Sequence, residues 1–156
     1  MRLVRIDQAI AVCQAHLQNS GATGTEIEAY LTRYLLVMIC STFEEEIKSL
    51  IIKRAAGSGD PGMESFVQSA MGRTSFRSLK TSDITDFLNR FGVDYKNRFR
   101  QELDKNQRAE TFFNNIVINR HDIAHSTGSN VSFSDLVSFY SEGHVVLDAI
   151  KVALQL

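Results

Sequence analysis

The chain has 156 residues, of which 44% are hydrophobic and 22% are charged, and its formal net charge is -1. A chain of this length buries enough apolar surface to fold without a metal or a disulfide framework, so we expect one domain over residues 1–156. An apolar run such as Leu35 to Cys40 has only six residues, far fewer than the ~18 that a membrane span requires. The sequence therefore predicts a globular protein with no membrane partner.

The expected compartment follows from the cysteines and the N-terminal segment. Cys13 and Cys40 lie in apolar helical patterns, where a reduced cysteine packs as a small hydrophobic side chain. Residues 1–7 contain charges at short intervals and lack the apolar core of a signal peptide. We therefore expect a cytoplasmic protein with reduced thiols.

The composition favours an all-α fold with a long second helix. One proline, no tryptophan and long spans without glycine leave few of the turn signals that a many-stranded sheet needs. Apolar residues at helical spacing from Leu3 to Leu17 predict a first helix. A turn over residues 19–24 then precedes one long helix between Thr25 and Ala56. Because the connecting loop is short, these two helices are expected to pack antiparallel.

Short helices are predicted in the middle of the chain. After a break at Gly57–Gly62, the pattern predicts a helix from Met63 to about Met71. Ser82 is the expected cap of the next helix, and a further short amphipathic segment surrounds Phe99. The middle of the chain is thus expected to consist of several short helices.

Two more helices are predicted towards the end of the chain. One begins at Asn106 and ends before the turn at Ser126–Asn130. The last spans Phe133 to Leu154 and begins at a capping box that Ser132 and Asp135 form.

Positive charge is concentrated in the middle of the chain. From Gly72 through Arg120 there are ten Lys or Arg and six Asp or Glu, giving +4, whereas the remainder has seven and twelve, giving -5. Such a region suits a surface that faces phosphate groups, since Lys and Arg neutralise a nucleic-acid backbone whatever its sequence. A solvated face on exposed helices explains the same distribution.

Arg120 is an arginine within an apolar stripe. It follows Ile116 by four residues and precedes Ile123 by three, so helical geometry turns its guanidinium towards the interior or an interface. A buried charge without a partner is too costly to retain. A carboxylate, a group of carbonyls or a phosphate ligand is therefore expected to face it.

Two histidines follow this arginine, at positions 121 and 125. His125 is five residues after Arg120, which separates the two side chains by about 140° around an ideal helix. Their convergence on one phosphate requires a distorted last turn, a long reach by the arginine, or a cleft shared by two subunits. Neutral histidine can exchange a proton with an RNA 2′-hydroxyl or a leaving oxygen, while arginine holds the phosphate. A structural salt bridge with a surface histidine is the alternative.

The segment Arg120-His121-Asp122-Ile123-Ala124-His125 resembles the Arg-x4-His signature of the HEPN superfamily (higher eukaryotes and prokaryotes nucleotide-binding). The long helix around residues 35–46 and the final helix after the motif also resemble the HEPN helical bundle. The chain is most similar to the branch called RiboL-PSP-HEPN, over about residues 25 to 154. Within that span, the six-residue motif is the specific part.

This resemblance implies an RNA endonuclease that needs no metal or cofactor. It implies a homodimer in which Arg120 and His125 of both subunits line one cleft and act on RNA. Roles in toxin–antitoxin systems, phage defence or RNA processing are typical, with a neutralising antitoxin or another protein as partner. Other members are non-catalytic modules for dimerisation or for nucleotide or protein binding, which is the alternative function.

Four further residues are candidates for supporting roles in this site. His121 and Asp122 lie inside the motif, although many members have asparagine or aspartate where this chain has His121. Glu45 and Glu46 lie in an acidic run on the long helix, and either carboxylate can orient Arg120 through a charge-assisted hydrogen bond. A solvated helix face is the alternative for this acidic run.

Zinc binding and base stacking are competing interpretations of the same region. His121 and His125 have the spacing of zinc-protease histidines, but aspartate replaces the glutamate of that motif and no third ligand motif follows. We therefore predict no metal site. Phe99, Phe112 and Phe113 lie in the basic region, where aromatic rings can stack on bases. Their helical spacing favours core packing instead.

Overall fold

The computed structural model describes residues 3–73, 79–124 and 131–156, with the side chain of Ala124 left out. Every regular element in these ranges is a helix, which confirms the all-α prediction. In chain order the helices are α1 (Val4–Ser20), α2 (Glu26–Ala56), α3 (Pro61–Arg73), α4 (Thr81–Asn89), α5 (Val93–Asp104), α6 (Gln107–Ala124), α7 (Phe133–Gly143) and α8 (Val145–Ala153).

The two predicted N-terminal helices are present with clear end signals. Gly21 ends α1 in the left-handed conformation, with φ 65°, and its N–H donates to the carbonyl of Leu17. Thr25 caps α2, since its side-chain oxygen accepts a hydrogen bond from the N–H of Ile27. The long second helix is therefore confirmed, at 31 residues.

The helix α3 begins earlier than predicted. Its first residue is Pro61, although the sequence pattern placed the break through Gly62 and the helix start at Met63. The carboxylate of Asp60 accepts hydrogen bonds from the N–H groups of Gly62 and Met63. Asp60 thus acts as the cap and Pro61 occupies the first helical position, where its missing N–H costs nothing.

Two other helix boundaries also differ from the prediction. Helix α4 begins at Thr81 rather than after Ser82, and the Asp83 carboxylate accepts a hydrogen bond from the N–H of Lys80. The predicted last helix is divided at His144 into α7 and α8. The His144 backbone N–H is 3.4 Å from the Tyr140 carbonyl oxygen, and Nδ1 of the same histidine is 3.0 Å from that oxygen. At the division, the Leu147 N–H donates to the His144 carbonyl at 3.1 Å, an i to i−3 hydrogen bond that interrupts the regular α-helical pattern.

The core is a continuous cluster of apolar side chains to which each of α1–α8 contributes, α3 through Met71 alone. Helix α6 packs against α2 on one side and α7 on the other. At the α2–α6 contact, the rings of Phe43 and Phe113 stack with centroids 5.2 Å apart. Phe99 and Phe113 are fully buried, whereas Phe112 is half-buried with its ring 5.1 Å from Phe139. Core packing therefore accounts for the three phenylalanines of the basic region.

A buried polar network holds the N-terminal half of α6 in place. Thr81, only 2% exposed, donates its backbone N–H to Asn114 Oδ1 at 3.0 Å and its hydroxyl to Glu110 Oε1 at 2.8 Å. Arg100 of α5 forms an ion pair with the same carboxylate oxygen of Glu110 at 3.0 Å. Helices α4, α5 and α6 are thereby joined at one point, which sets the position from which α6 extends towards Arg120.

None of the described helices has both the length and the hydropathy needed to cross a membrane.

Candidate active site

The structure places Arg120 beside the apolar face of α6, as its spacing predicts. Phe113, Ile116 and Val117 are buried on that face, with at most 4% of each side chain exposed. Arg120 follows one turn later and is half-buried. Because helical side chains lean towards the N-terminus, the guanidinium lies over the preceding turn, next to α2.

Cys40 of α2 is the contact point between the two helices near Arg120. Its Sγ–H donates to the carbonyl oxygen of Ile116 at 3.9 Å. The backbone of Ile116 is one helical turn before that of Arg120. The long second helix therefore passes directly beside the motif.

The pKa of the Cys40 thiol depends on its burial and on the charges around it. Its pKa is raised from 9.0 to about 12, with burial as the largest cause. The carboxylate of Glu44 raises this pKa further, while the guanidinium of Arg120 lowers it. Both charges are therefore close enough to act on one buried sulfur atom. We call Cys40, Glu44 and Arg120 the Glu44–Arg120 site.

The Cys40 thiol is a packing group in this site. Because thiolate is the nucleophilic form of cysteine, a thiol with a pKa of about 12 is almost entirely unreactive at neutral pH. The adjacent cavity, lined in part by Cys40, Phe43 and Glu44, has a volume of about 10 Å³, room for about one water. A cavity of this volume is too small to hold a nucleotide.

The other predicted site residues occupy different environments. His121 is exposed and Asp122 is half-buried near the end of α6. His125 lies outside the described residues, as does the predicted turn at residues 126–130. The roles proposed for these three side chains stay predictions.

Within the acidic run, Glu44 is the residue whose charge acts on the Cys40 thiol together with that of Arg120. Glu45 is exposed and Glu46 is half-buried, and no shift of the Cys40 pKa is attributed to either. Glu44 follows Cys40 by four residues and so lies on nearly the same side of α2, whereas Glu45 is turned by about 100° further. The spacing from the buried Cys40 is the signal that distinguishes Glu44 within the acidic run.

The metal interpretation is tested only for part of the motif. Across residues 3–73, 79–124 and 131–156, the structure brings together no group of three histidine, cysteine or carboxylate side chains able to hold a metal ion. His121 is inside these ranges and His125 is outside them.

The fold is a helical bundle, and Arg120, the first residue of the arginine–histidine motif, lies near the end of α6 within electrostatic range of α2. A family model described as RiboL-PSP-HEPN matches residues 2–155. The chain therefore belongs to the RiboL-PSP-HEPN family, which confirms the resemblance seen in the motif from Arg120 to His125. No curated protein and no solved structure matches the chain.

Proposed function

We propose that this protein is an RNA endonuclease of HEPN type that works without a metal ion. The observation that supports this most is the placement of Arg120, a half-buried permanent cation whose charge, like that of Glu44, acts on the buried Cys40 thiol of the neighbouring helix. A partly desolvated guanidinium binds phosphate oxygens more strongly than a fully solvated one does, because the local dielectric is lower. Arg120 would therefore stabilise the charge that develops on the phosphate during cleavage.

In the proposed reaction, a histidine takes the proton from the RNA 2′-hydroxyl. The 2′-oxygen then attacks the adjacent phosphorus, the bond from phosphorus to the 5′-oxygen breaks, and that leaving oxygen receives a proton from a general acid. The products are a 2′,3′-cyclic phosphate and a 5′-hydroxyl, with Arg120 on the non-bridging oxygens and His125 as the acid or base. DNA lacks the 2′-hydroxyl and would be spared.

A homodimer supplies the geometry that one helix lacks. Arg120 and His125 differ by about 140° around α6, so a second chain would complete the cleft. Helix α2 has an exposed stripe formed by Ile27, Tyr30, Tyr34 and Val37, each 47–60% exposed. This stripe continues along α2 towards Glu44. Contiguous exposed apolar residues favour association, so we propose the α2 stripe as the dimer face.

A non-catalytic HEPN module is the second candidate. Two observations favour it: the formal net charge is only -1, and the Glu44 carboxylate offsets part of the positive charge of Arg120. Such a module would dimerise or bind a nucleotide or protein without cleaving RNA.

The biological setting is proposed from the family resemblance. Toxin–antitoxin, phage-defence and RNA-processing roles all fit an RNA endonuclease, with an antitoxin or other protein as neutralising partner. Cys13 and Cys40 are free and buried, which favours a reducing compartment such as the cytoplasm.

Cleavage of labelled RNA and of the matching DNA, in EDTA, tests the catalytic proposal. We expect the unaltered protein to cleave RNA alone. Arg120→Ala should lower the rate by about 100- to 1,000-fold, and His125→Ala by about 100- to 10,000-fold. An Arg120→Ala protein that is folded and retains full activity would exclude this mechanism. Salt-dependent RNA binding with no cleavage would favour the non-catalytic module.

A matched pair of variants tests the part assigned to Glu44. Glu44→Gln removes the charge while keeping the shape, and we expect it to lower kcat because Arg120 loses its orienting carboxylate. Glu45→Gln makes the same change one residue along α2, on an exposed side chain. Equal losses in the two variants would show that neither carboxylate acts specifically on Arg120.

A further inference from the structure

Helices α3 and α4 enclose an open groove whose floor is Ile51 of α2. The groove has a volume of about 190 Å³, with Phe66 on the α3 side and Phe87, Arg90 and Phe91 on the α4 side. Phe66 is 70% exposed although it belongs to the residue types that usually bury. Among the described residues that line this groove, Arg90 is the one charged side chain and none carries a carboxylate.

Aromatic rings and arginines alternate along the edge of this groove. The Phe87 and Phe91 ring centroids are 5.9 Å apart, and Phe91 is 5.8 Å from Tyr95 at the start of α5. The guanidinium of Arg90 lies 5.6 Å from the centroid of Phe87. Arg98 lies 4.7 Å from the centroid of Tyr95. Alternating ring faces and cations are what single-stranded nucleic acids use, because bases stack on rings and phosphates pair with arginine.

A further arginine extends the cationic edge to α2. Arg54, in the last turn of that helix, lies 5.8 Å from the Tyr95 ring centroid and donates to the Tyr95 hydroxyl at 2.8 Å. The positive edge is therefore built from three helices, α2, α4 and α5, around the aromatic residues.

The groove and the Glu44–Arg120 site are separated along α2 by the spacing from Cys40 to Ile51. This separation of eleven residues corresponds to about 16 Å along the helix axis. Cys40 and Ile51 are themselves buried in the core. A strand that contacts both places therefore has to span this distance over the outer surface.

We propose that this groove, called the Phe66 groove, binds unpaired bases of a single-stranded RNA. Bases enter between Phe66 and Phe91, and the phosphates beside them lie against Arg90. Charge complementarity favours RNA over an amphipathic protein helix, because the rim is cationic and the lining over residues 3–73 and 79–124 includes no carboxylate. Duplex RNA is a poor ligand, since its bases are already stacked and paired. This inference rests on the proposed function and specifies its substrate as single-stranded RNA held at a second contact beyond Arg120.

Fluorescence anisotropy with a labelled RNA of about 12 nucleotides tests the groove. All proteins contain His125→Ala, which removes the proposed acid or base, so that binding is measured without cleavage and with the Arg120 contact intact. Adding Phe66→Ala should weaken binding by about 5- to 150-fold, the effect of one lost stacking contact. Adding Arg90→Ala should reduce the steepness of log Kd against log salt by about 0.7, since one phosphate contact is lost.

Two controls on α1 match these changes away from the groove. Val12→Ala removes an apolar side chain that is 69% exposed, and Arg5→Ala removes an exposed arginine. Neither should change Kd by more than about twofold, because exposed substitutions away from a binding surface have small effects. Melting temperatures of all variants establish that any loss of binding is not a loss of folding.

A conservative variant separates RNA stacking from docking of a protein. Phe66→Leu keeps the apolar surface but removes the ring, so stacking predicts that it binds nearly as weakly as Phe66→Ala. Full affinity in Phe66→Leu, no effect of Phe66→Ala and Arg90→Ala, or no RNA binding by the parent protein would each overturn the proposal.

The outcomes also separate this inference from the catalytic proposal. If the protein without substitutions never cleaves RNA while binding still depends on Phe66, the catalytic function fails and the groove stands. If cleavage depends on Arg120 while substitution of Phe66 and Arg90 leaves Kd unchanged, the groove proposal fails and the catalytic function is supported.

Discussion

Gly143, the last residue of α7, is buried where α7 crosses closest to α6. A Cβ atom added there would lie 3.0 Å from the backbone nitrogen of Phe113 and 3.2 Å from its Cα. It would also lie 3.3 Å from the carbonyl carbon of Phe112. All three atoms belong to the backbone of α6, which is unable to turn aside as a flexible side chain would. Gly143→Ala therefore has to push the two helices apart.

The expected size of this effect follows from two opposing contributions. Overpacking of a tight contact costs about 1–3 kcal/mol. Replacing glycine with alanine in a helix recovers about 0.5–1 kcal/mol, and less at a helix end. We expect Gly143→Ala to lower the free energy of unfolding by about 1–2 kcal/mol, which lowers Tm by about 2–8 °C for a domain of this length.

Gly72→Ala is the matched control for this substitution. Gly72 is a helical residue of α3 with no atom within 4 Å of its added Cβ. The same change there should raise Tm by about 1–3 °C, because only the helix propensity changes. Thermal unfolding followed by circular dichroism measures both variants. A Gly143→Ala protein that melts at or above the unaltered protein would refute the close contact between α6 and α7.

Three further predictions concern the polar network, the buried thiol and the proposed dimer face. Thr81→Val keeps the side-chain shape but removes a hydrogen-bond partner of Glu110 and Asn114. Urea unfolding should therefore show a free energy of unfolding lower by about 1–3 kcal/mol. The control Thr111→Val, on an exposed threonine, should change this free energy by less than about 0.5 kcal/mol. The raised Cys40 pKa adds stability that is fully present below pH 9 and is lost progressively as pH rises towards about 12. Unfolding free energies between pH 9 and 11 should therefore fall less steeply in Cys40→Ala, by up to about 1.4 kcal/mol per pH unit, and parallel slopes would contradict the shift. Tyr34→Glu places a charge in the exposed stripe of α2. Light scattering should then show a monomer, and the activity assay should show no RNA cleavage. The control Val12→Glu, on α1, should leave the dimer intact.

The helix boundaries were predictable where the signal lies within one turn of the helix end. The end of α1 at Gly21 and the start of α2 at Thr25 agree with prediction because each depends on residues within one turn. The start of α3 was also encoded locally, in Asp60 and Pro61, but proline and glycine together suggested a break. The division at His144 coincides with a local i to i−3 hydrogen bond from Leu147 to His144, which the periodicity of apolar residues does not contain.

The candidate site was predictable for α6 and less so for its neighbour. The apolar stripe was sufficient to turn Arg120 towards the interior, because every residue concerned lies on one helix. Which carboxylate of the acidic run lies near Arg120 depends instead on how α2 packs against α6. Glu45 and Glu46 were candidates for orienting Arg120, with a solvated helix face as the alternative, whereas the charge that acts with Arg120 on the Cys40 thiol is that of Glu44. The Phe66 groove likewise combines three helices that are separate in sequence.

The sequence by itself determined the all-α class, most helix ends, the family motif and the inward side of Arg120. These properties depend on residues at most a few turns apart, where helical periodicity and capping relate sequence to geometry directly. Only the tertiary structure decided that the Cys40 thiol donates a hydrogen bond to the Ile116 carbonyl and that the charges of Glu44 and Arg120 both act on that thiol. It also decided that Phe66 stays exposed in the groove that Phe91 lines. Each depends on the offset and crossing of two helices, which are determined by how their side chains pack across the contact and not by the repeat of either helix.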